Sequence, residues 1–111
     1  MALRCRYVRT RLAYILSKER IMPTFAVQRE LPGISMEQLG AAQRAAIETS
    51  RKLSSEGTPV QYIRSNFYPT SSKCTCLFEA SDAAAVELVN KEAGIPFVRV
   101  EQVLDLVPTG A

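Results

Sequence analysis

Apolar positions recur with two different periods along residues 22–107, and the order of these periods predicts the elements of the fold. Alternation of apolar and polar side chains, rich in β-branched and aromatic residues, predicts strands. Recurrence every three or four positions predicts helices. The predicted strands cover 24–30, 60–68, 73–79 and 98–106. The predicted helices begin at Ser35 and at Ser81 or Asp82, and they end near 54–57 and Ala93.

Both predicted helices carry start or stop signals. Ser35 and Gln38 have the spacing of a capping box, in which each side chain accepts a hydrogen bond from the other residue's backbone N–H. Gly94 stands where a residue in the left-handed conformation ends a helix, and Pro96 follows it. These signals separate the helices from the neighbouring strands.

The order strand, helix, strand, strand, helix, strand predicts a ferredoxin-like α+β sandwich, the βαββαβ plan, over residues 22–107. The strands 60–68 and 73–79 are joined by a short turn and form a hairpin. The two connections through helices are right-handed crossovers. The result is an antiparallel four-stranded sheet with both helices on one face.

The face of the sheet that the helices leave open is expected to be half apolar. Because side chains alternate along a strand, one face of the second strand carries Val60, Tyr62, Arg64, Asn66 and Tyr68. The other face then carries Gln61, Ile63, Ser65 and Phe67. Because a half-apolar exposed face on a small domain favours self-association, we expect a homodimer formed through this open face.

Positive charge is concentrated in residues 1–21. This leader has a net charge of +5, whereas residues 22–111 have a net charge of −2. The mildly acidic body argues against nucleic-acid binding, and no apolar run reaches the length of about 20 residues needed to span a membrane. The leader is expected to be disordered or to lie upstream of a natural start at Met22, although its composition also suits an organelle transit peptide. Residues 108–111 are expected to form a tail.

Histidine is absent from the chain, and this restricts its chemistry. A histidine-based catalytic triad, a histidine-ligated haem and imidazole ligands for zinc or nickel are excluded. Cys74 and Cys76 share one strand face and, with Glu79, are candidate ligands for a thiophilic metal. Alternatively, both thiols are small core residues that face the helices. A disulfide between them is geometrically poor, so we expect reduced thiols and a cytoplasmic protein.

A second candidate site consists of polar side chains on or near the central strands. As a group they could line a pocket for a small polar ligand. Alternatively, they are solvated residues of the sheet face or ion pairs at a dimer contact. The residues are Glu30, Tyr62, Arg64, Asn66 and Glu79.

Several short motifs occur together in an order that is typical of one family. Pro32-Gly33 follows the first strand, Cys76 stands three residues before a Glu-Ala pair, and Ala93-Gly94-Ile95-Pro96 ends the second helix. With Ser65 in the second strand, the chain resembles a bacterial family of small domains of unknown function, typified by a nickel-responsive, nickel-binding protein. The resemblance spans 22–107 and implies a ferredoxin-like dimeric fold.

The resemblance also implies a difference in metal binding. Many members of that family carry a Glu-His pair near the end of the second helix, where this chain has Leu88 and Val89. If the histidine ligates the metal in those relatives, this chain has lost the ligand. The chain therefore resembles a histidine-free branch, for which nickel is not assumed as a cofactor.

Three kinds of function remain open from the sequence. We expect a non-enzymatic binding or accessory module with an unidentified small ligand. The first alternative is a metal-binding protein that uses Cys74, Cys76 and Glu79. The second is a cofactor-free enzyme that resembles the dimeric α/β-barrel oxygenases and isomerases, which needs a titratable group in a pocket, such as Glu30 or Glu79.

Overall fold

The computed structural model describes residues 22–104, 106 and 108, and within them the predicted order of elements is confirmed. The predicted leader, residues 1–21, and most of the predicted tail lie outside the described residues. The elements are β1 (Thr24–Glu30), α1 (Met36–Ser55), β2 (Val60–Tyr68), β3 (Lys73–Ala80), α2 (Ala83–Ala93) and β4 (Arg99–Val103).

The four strands form one sheet in the order β2-β3-β1-β4, and all neighbouring strands are antiparallel. α1 packs over β2, and α2 packs over β3 and β4 on the same side of the sheet. The hydrophobic core lies between this side and the two helices. The predicted ferredoxin-like α+β sandwich is therefore confirmed.

β4 is shorter than the pattern predicts. The predicted strand covers 98–106, whereas β4 ends at Val103. Val103 pairs with Thr24, which is the first residue of β1. Pro23 precedes Thr24 and has no backbone N–H to donate. The ladder between β1 and β4 therefore ends at this pair.

Both helices begin at the capping residues that the sequence indicates. Ser35 Oγ accepts from the backbone N–H of Gln38 at 3.0 Å, and the Gln38 side chain accepts from the N–H of Ser35 at 3.0 Å. Of the two residues that could cap α2, Asp82 is the cap, because its carboxylate accepts from the N–H of Ala85 at 3.0 Å. Within the described ranges, no helix is both long and apolar enough to cross a membrane.

α2 ends in the predicted left-handed turn. Gly94 has a φ of 72°, and the N–H of Ile95 returns to the carbonyl of Asn90 at 3.0 Å. A residue with a Cβ is strained in this conformation, so glycine suits the position. The turn directs Ile95 into the core and leads the chain towards β4.

β2 contains a bulge that the alternation of side chains does not predict. Tyr62 pairs with Phe78 and Arg64 pairs with Leu77, so Ile63 is an extra residue in β2. Because side chains alternate between faces, one extra residue exchanges the two faces of the strand beyond it. The expectation of uninterrupted alternation is therefore wrong from Ile63 onwards.

The bulge decides which β2 side chains face the helices. Ser65 pairs with Cys76 and Phe67 pairs with Cys74, both on the helix-covered side. Tyr62 lies on this side as well, because its partner Phe78 belongs to the core. The opposite side receives the β2 residues Gln61, Arg64, Asn66 and Tyr68.

The open face of the sheet is less apolar than expected. Ala26, Leu77 and Val103 lie on it. Their neighbours on the same face are polar or charged: Thr24, Gln28, Glu30, Lys73, Thr75, Glu79, Arg99 and Glu101. Gln28 Nε2 donates to the Glu101 carboxylate at 3.0 Å, and Arg99 Nε lies 3.4 Å from it. Dimerisation through this face stays a prediction.

Candidate functional site

A cavity of about 220 Å³ lies between α1 and the helix-covered side of the sheet. We call it the α1 cavity. Met36 and Gln43 line it and are exposed, so it meets solvent beside α1. Gly40 lies on the same stretch of α1 and adds no side chain to the entrance. The walls are mostly apolar and include Leu31, Leu39, Ala42, Ala46, Phe67 and Ile95.

Polar side chains from three strands meet on one wall of the α1 cavity. They are Arg29 of β1, Tyr62 and Ser65 of β2, and Cys74 and Cys76 of β3. The bulge in β2 is what brings the hydroxyl of Ser65 to this wall, because uninterrupted alternation would turn it to the open face. The wall is therefore a product of sheet register rather than of neighbouring positions in the chain.

The thiol of Cys76 is the centre of this polar wall. Ser65 Oγ donates a hydrogen bond to Cys76 Sγ at 2.9 Å, and Arg29 Nε donates to the same sulfur at 3.3 Å. Cys74 Sγ lies 3.8 Å from Cys76 Sγ, within hydrogen-bond distance. A charged donor such as Arg29 stabilises an anion more than a neutral acceptor. The surroundings therefore favour Cys76 as the thiolate.

A chain of hydrogen bonds links this thiol to the surface. Tyr62 OH lies 2.6 Å from Ser65 Oγ, and Gln43 Nε2 donates to Tyr62 OH at 3.0 Å. Because Ser65 donates to Cys76, Tyr62 donates to Ser65, and every donor in the chain is oriented towards the sulfur. Hydrogen bonds aligned in this way polarise and strengthen one another.

The two thiols differ in acidity. The hydrogen bond from Cys74, the guanidinium of Arg29 and the hydrogen bond from Ser65 hold the pKa of Cys76 well below its ordinary value, although burial opposes them. The hydrogen bond to Cys76 and burial raise the pKa of Cys74. Cys74 therefore keeps its proton, and Cys76 is the thiol that ionises first.

Arg29 is a buried cation with one unused donor. Its side chain is only 3% exposed, and Nη1 donates to the carbonyl of Pro96 at 3.3 Å. Nη2 is buried and finds no acceptor in the described part of the chain. A buried donor without an acceptor is costly, especially on a charged group. Arg29 lines the α1 cavity, so an oxygen atom of a bound molecule could serve as the missing acceptor.

The residues predicted as metal ligands are only partly brought together. Cys74 and Cys76 lie side by side, buried and facing the helices, as the structural alternative predicted. Glu79 pairs with Thr24 and Gln61 and lies on the open face, on the other side of the sheet. Among the described residues there is no group of three or more His, Cys, Asp or Glu side chains that could hold a metal ion.

The residues predicted to line a polar pocket are also divided between the two sides of the sheet. Tyr62 lines the α1 cavity. The other four lie on the open face. The bulge in β2 places Arg64 and Asn66 there, and the register of β1 and β3 places Glu30 and Glu79 there. Neither carboxylate proposed for a cofactor-free enzyme, Glu30 or Glu79, lines the α1 cavity.

Three polar residues of the α1 cavity were not among the predicted site residues: Arg29, Gln43 and Ser65. Arg29 alternates in phase with Phe25 and Val27, so a charge on a buried strand face was the available signal. Gln43 interrupts the apolar stripe of α1. Ser65 was among the motif residues of the family resemblance, but the alternation of β2 gave no signal for its place in the cavity, because its face depends on the bulge.

The fold and this wall define a class of protein: a ferredoxin-like α+β domain with a ligand-sized cavity under its first helix. Residues 25–103 match the model of a family described as "Nickel responsive protein SCO4226-like". The chain therefore belongs to this family, and the resemblance seen in its motifs is confirmed.

One solved structure shares the fold. The crystal structure of SCO4226 from Streptomyces coelicolor A3(2) matches with a TM-score of 0.65 and 24% sequence identity. The match covers 76% of this chain and 99% of that chain. Among curated protein sequences, none matches this chain.

The residues on the polar wall do not fit nickel. The chain contains no histidine, and Val89, where the family resemblance implies a histidine, is fully buried in the core. The guanidinium of Arg29 contacts Cys76 directly, and a positive charge there opposes a second cation. The polar wall instead suits a molecule that offers an acceptor atom.

Proposed function

We propose that this protein is a small-molecule-binding module whose ligand is a compact, mainly apolar molecule with one carbonyl oxygen. The observation that carries the proposal is the buried Nη2 of Arg29, which lacks an acceptor and belongs to a residue that lines an apolar cavity. A bound carbonyl oxygen would accept from this donor, and the rest of the ligand would fill the apolar space.

The volume of the α1 cavity limits the size of the ligand. Apolar cavities of about 150 Å³ hold a benzene molecule. The α1 cavity has about 220 Å³ and opens to solvent, so it accepts one ring with a short side chain. The proposed ligand is therefore smaller than a nucleotide or a dinucleotide cofactor.

The charge on the polar wall favours a neutral ligand. The thiolate of Cys76 and the guanidinium of Arg29 are in direct contact, so their charges compensate each other. Burying a carboxylate beside them would leave one negative charge without a partner, which is costly. A neutral carbonyl supplies the acceptor that Nη2 lacks without this cost.

We infer that the protein works in a reducing, cytoplasmic compartment. Both described cysteines are free and buried, and both line the α1 cavity in the reduced form. An oxidising compartment would favour their conversion to disulfides with other thiols. The presence of both reduced cysteines in the cavity wall therefore supports a reducing compartment.

Three compounds of nearly equal shape test the proposed ligand class. Benzylacetone carries a neutral carbonyl, butylbenzene lacks it, and hydrocinnamate carries a carboxylate. We expect benzylacetone to bind about tenfold more tightly than butylbenzene, because a hydrogen bond to a charged donor is worth about 1.5–3 kcal/mol. Isothermal titration calorimetry on the full chain measures the three affinities, and hydrocinnamate is expected to bind more weakly than benzylacetone.

A pair of substitutions at one position tests the location of the site. A Cβ on Gly40 would meet only Arg44 Nη1, at 3.6 Å, so the position has room for a side chain. Gly40→Phe is expected to fill the entrance and abolish benzylacetone binding, whereas Gly40→Ala is expected to preserve it. Equal binding by the two variants, or no binding of benzylacetone by the wild type, would show that the proposal is wrong.

A further inference from the structure

We propose that Cys76 is a nucleophile that adds to an α,β-unsaturated carbonyl compound in the α1 cavity, so that the protein captures such a molecule covalently. This inference rests on the proposed function, because it names the reactive class among the neutral carbonyl ligands. It assigns a chemical role to the thiol that binding alone does not use.

The surroundings of the sulfur support this role. Cys76 lines the cavity and accepts hydrogen bonds from Ser65 and Arg29. A thiolate, not a thiol, is the attacking species, and adjacent cationic groups increase its population. The apolar walls concentrate apolar electrophiles at the sulfur and keep strongly hydrated ones out.

The choice between the two cysteines follows from their partners. Cys74 is in hydrogen-bond distance of Cys76 Sγ and holds the proton in that bond. The bonds from Ser65 and Arg29 go to Cys76 alone. Cys74 therefore acts as a donor that supports the thiolate, and Cys76 attacks.

Arg29 can contact both the attacking sulfur and the carbonyl oxygen of the ligand. Its Nε donates to Cys76 Sγ, and Nη2 has no acceptor. In a planar guanidinium these two nitrogens point along the same edge, which is the geometry that allows two parallel hydrogen bonds. A carbonyl oxygen at Nη2 would therefore lie beside the sulfur, with the conjugated double bond of the ligand close to it.

The addition needs no oxidant, reductant or second substrate. A lone pair of Sγ forms a bond to the β-carbon, and the π electrons of the C=C bond move onto the carbonyl oxygen as an enolate. The hydrogen bond from Arg29 Nη2 stabilises this oxygen. The α-carbon then takes a proton, which the hydroxyl chain of Ser65 and Tyr62 can pass from solvent. The net change is addition of the thiol S–H across the double bond.

Benzylideneacetone, the unsaturated counterpart of benzylacetone, tests the inference on the full chain with Cys5→Ser, which removes the thiol outside the described residues. Intact-mass measurement should show one added molecule, and peptide mapping should place it on Cys76. The rate should exceed that of glutathione at neutral pH by about tenfold or more, since activated thiols are thiolates there.

Two substitutions on β3 serve as matched variants. Cys76→Ser is expected to abolish the adduct, whereas Thr75→Ser, on the open face of the same strand, is expected to retain it. Benzylacetone binding, measured on each variant, reports whether the cavity is intact. Because peptide mapping on the parent protein locates the adduct directly, the result does not depend on how well either variant folds.

The outcomes separate this inference from the proposed function. No adduct, an adduct on Cys74, or a rate no higher than that of glutathione would overturn covalent capture. If benzylacetone still binds in that case, the proposed function stands. If benzylacetone does not bind either, both ideas fail.

Discussion

At Cys76, three donors converge on one buried sulfur, and one of them carries a positive charge. Burying a single charge is costly, but a buried pair with further hydrogen bonds can offset the loss of hydration. At neutral pH, a thiolate that loses its cationic partner can take up a proton and become a neutral thiol more readily than a carboxylate can. The contact with Arg29 therefore affects the pKa of Cys76 more than it affects the stability of the fold.

This view predicts how the acidity responds to the loss of the guanidinium. Arg29→Met should raise the pKa of Cys76 towards the ordinary thiol value, because it removes the adjacent positive charge and the hydrogen bond from Nε. The ultraviolet absorbance of the thiolate, followed against pH in the Cys5→Ser background, measures the change. Arg44→Met makes the same chemical change at an exposed position of α1 and should leave the titration unchanged. Identical titrations of the two variants would contradict the assignment.

The two thiols also predict a pH dependence of stability. The native pair loses its first proton, from Cys76, below the ordinary thiol value of 9.0, and keeps the second, on Cys74, above it. An unfolded chain loses both near that value. Below about pH 9, unfolding therefore takes up a proton and stability falls with falling pH; above it, unfolding releases a proton and stability falls with rising pH.

Urea unfolding at a series of pH values tests this prediction. The contribution of the pair is the difference in the free energy of unfolding between the parent protein and Cys76→Ser, both with Cys5→Ser. We expect this difference to be largest near pH 9, where the native pair retains one proton and the unfolded pair is half titrated. A difference that does not vary with pH would show that the native thiols titrate as ordinary ones do.

Metal binding gives a further prediction at the scale of single residues. The reduced protein is expected to give no binding heat with nickel, because imidazole is absent and Arg29 stands beside the thiols. Calorimetry with nickel, zinc and copper on the Cys5→Ser protein measures this. Heat that disappears in both Cys74→Ser and Cys76→Ser would establish a thiolate metal site and reverse this reading of the wall.

At the scale of the elements, the sequence predicts regular stretches well and interruptions badly. β1 follows the alternation, so Phe25, Val27 and Arg29 share the buried side as predicted. β2 does not follow the alternation, because it has a bulge at Ile63 that no glycine or other characteristic residue indicates in the sequence. A bulge is chosen by the pairing of both strands, and pairing is a long-range property that a single segment does not encode.

Gly94 shows an element boundary whose energetics are predictable. Its φ is 72°, and a Cβ added there would meet no atom within 4 Å. A side chain at this position therefore destabilises the protein through backbone strain and not through a steric clash with the core. Gly94→Ala should lower the free energy of unfolding by about 1 kcal/mol, and Gly94→Asn by less, because asparagine tolerates the left-handed region. Chemical denaturation measures both, and equal losses would contradict a purely conformational cost.

For the whole molecule, the fold could be predicted because its determinants are local. The capping box of Ser35, the helix end at Gly94 and the alternation in each strand are each formed by residues that are close in sequence. The α1 cavity could not, since it needs Arg29, Ser65 and Cys76 from three strands in one register. Cys74 and Cys76 were found because they are neighbours on one strand, whereas Arg29, which contacts Cys76 from another strand, was not.

We propose separate tasks for the two sides of the sheet. The helix-covered side holds the cavity, and the open face would contact a partner. Leu77 lies at the centre of the open face and is itself only 9% exposed, whereas three apolar side chains before and after β4 are strongly exposed: Val98 by 59%, Leu104 by 81% and Leu106 by 88%. Exposed apolar groups favour association, and a second copy of the chain would cover them. We therefore propose a homodimer formed through the open face.

Sedimentation equilibrium at micromolar concentration tests the dimer. Val103→Glu should produce monomers, because it would place a carboxylate without a partner in a contact formed through the open face. Leu88→Glu adds the same charge on the exposed surface of α2 and should leave the dimer intact. Cooperative unfolding of both variants would show that each is folded. A clean monomer for the wild-type chain at this concentration would contradict the proposal, and the exposed apolar residues near β4 would then need a different partner.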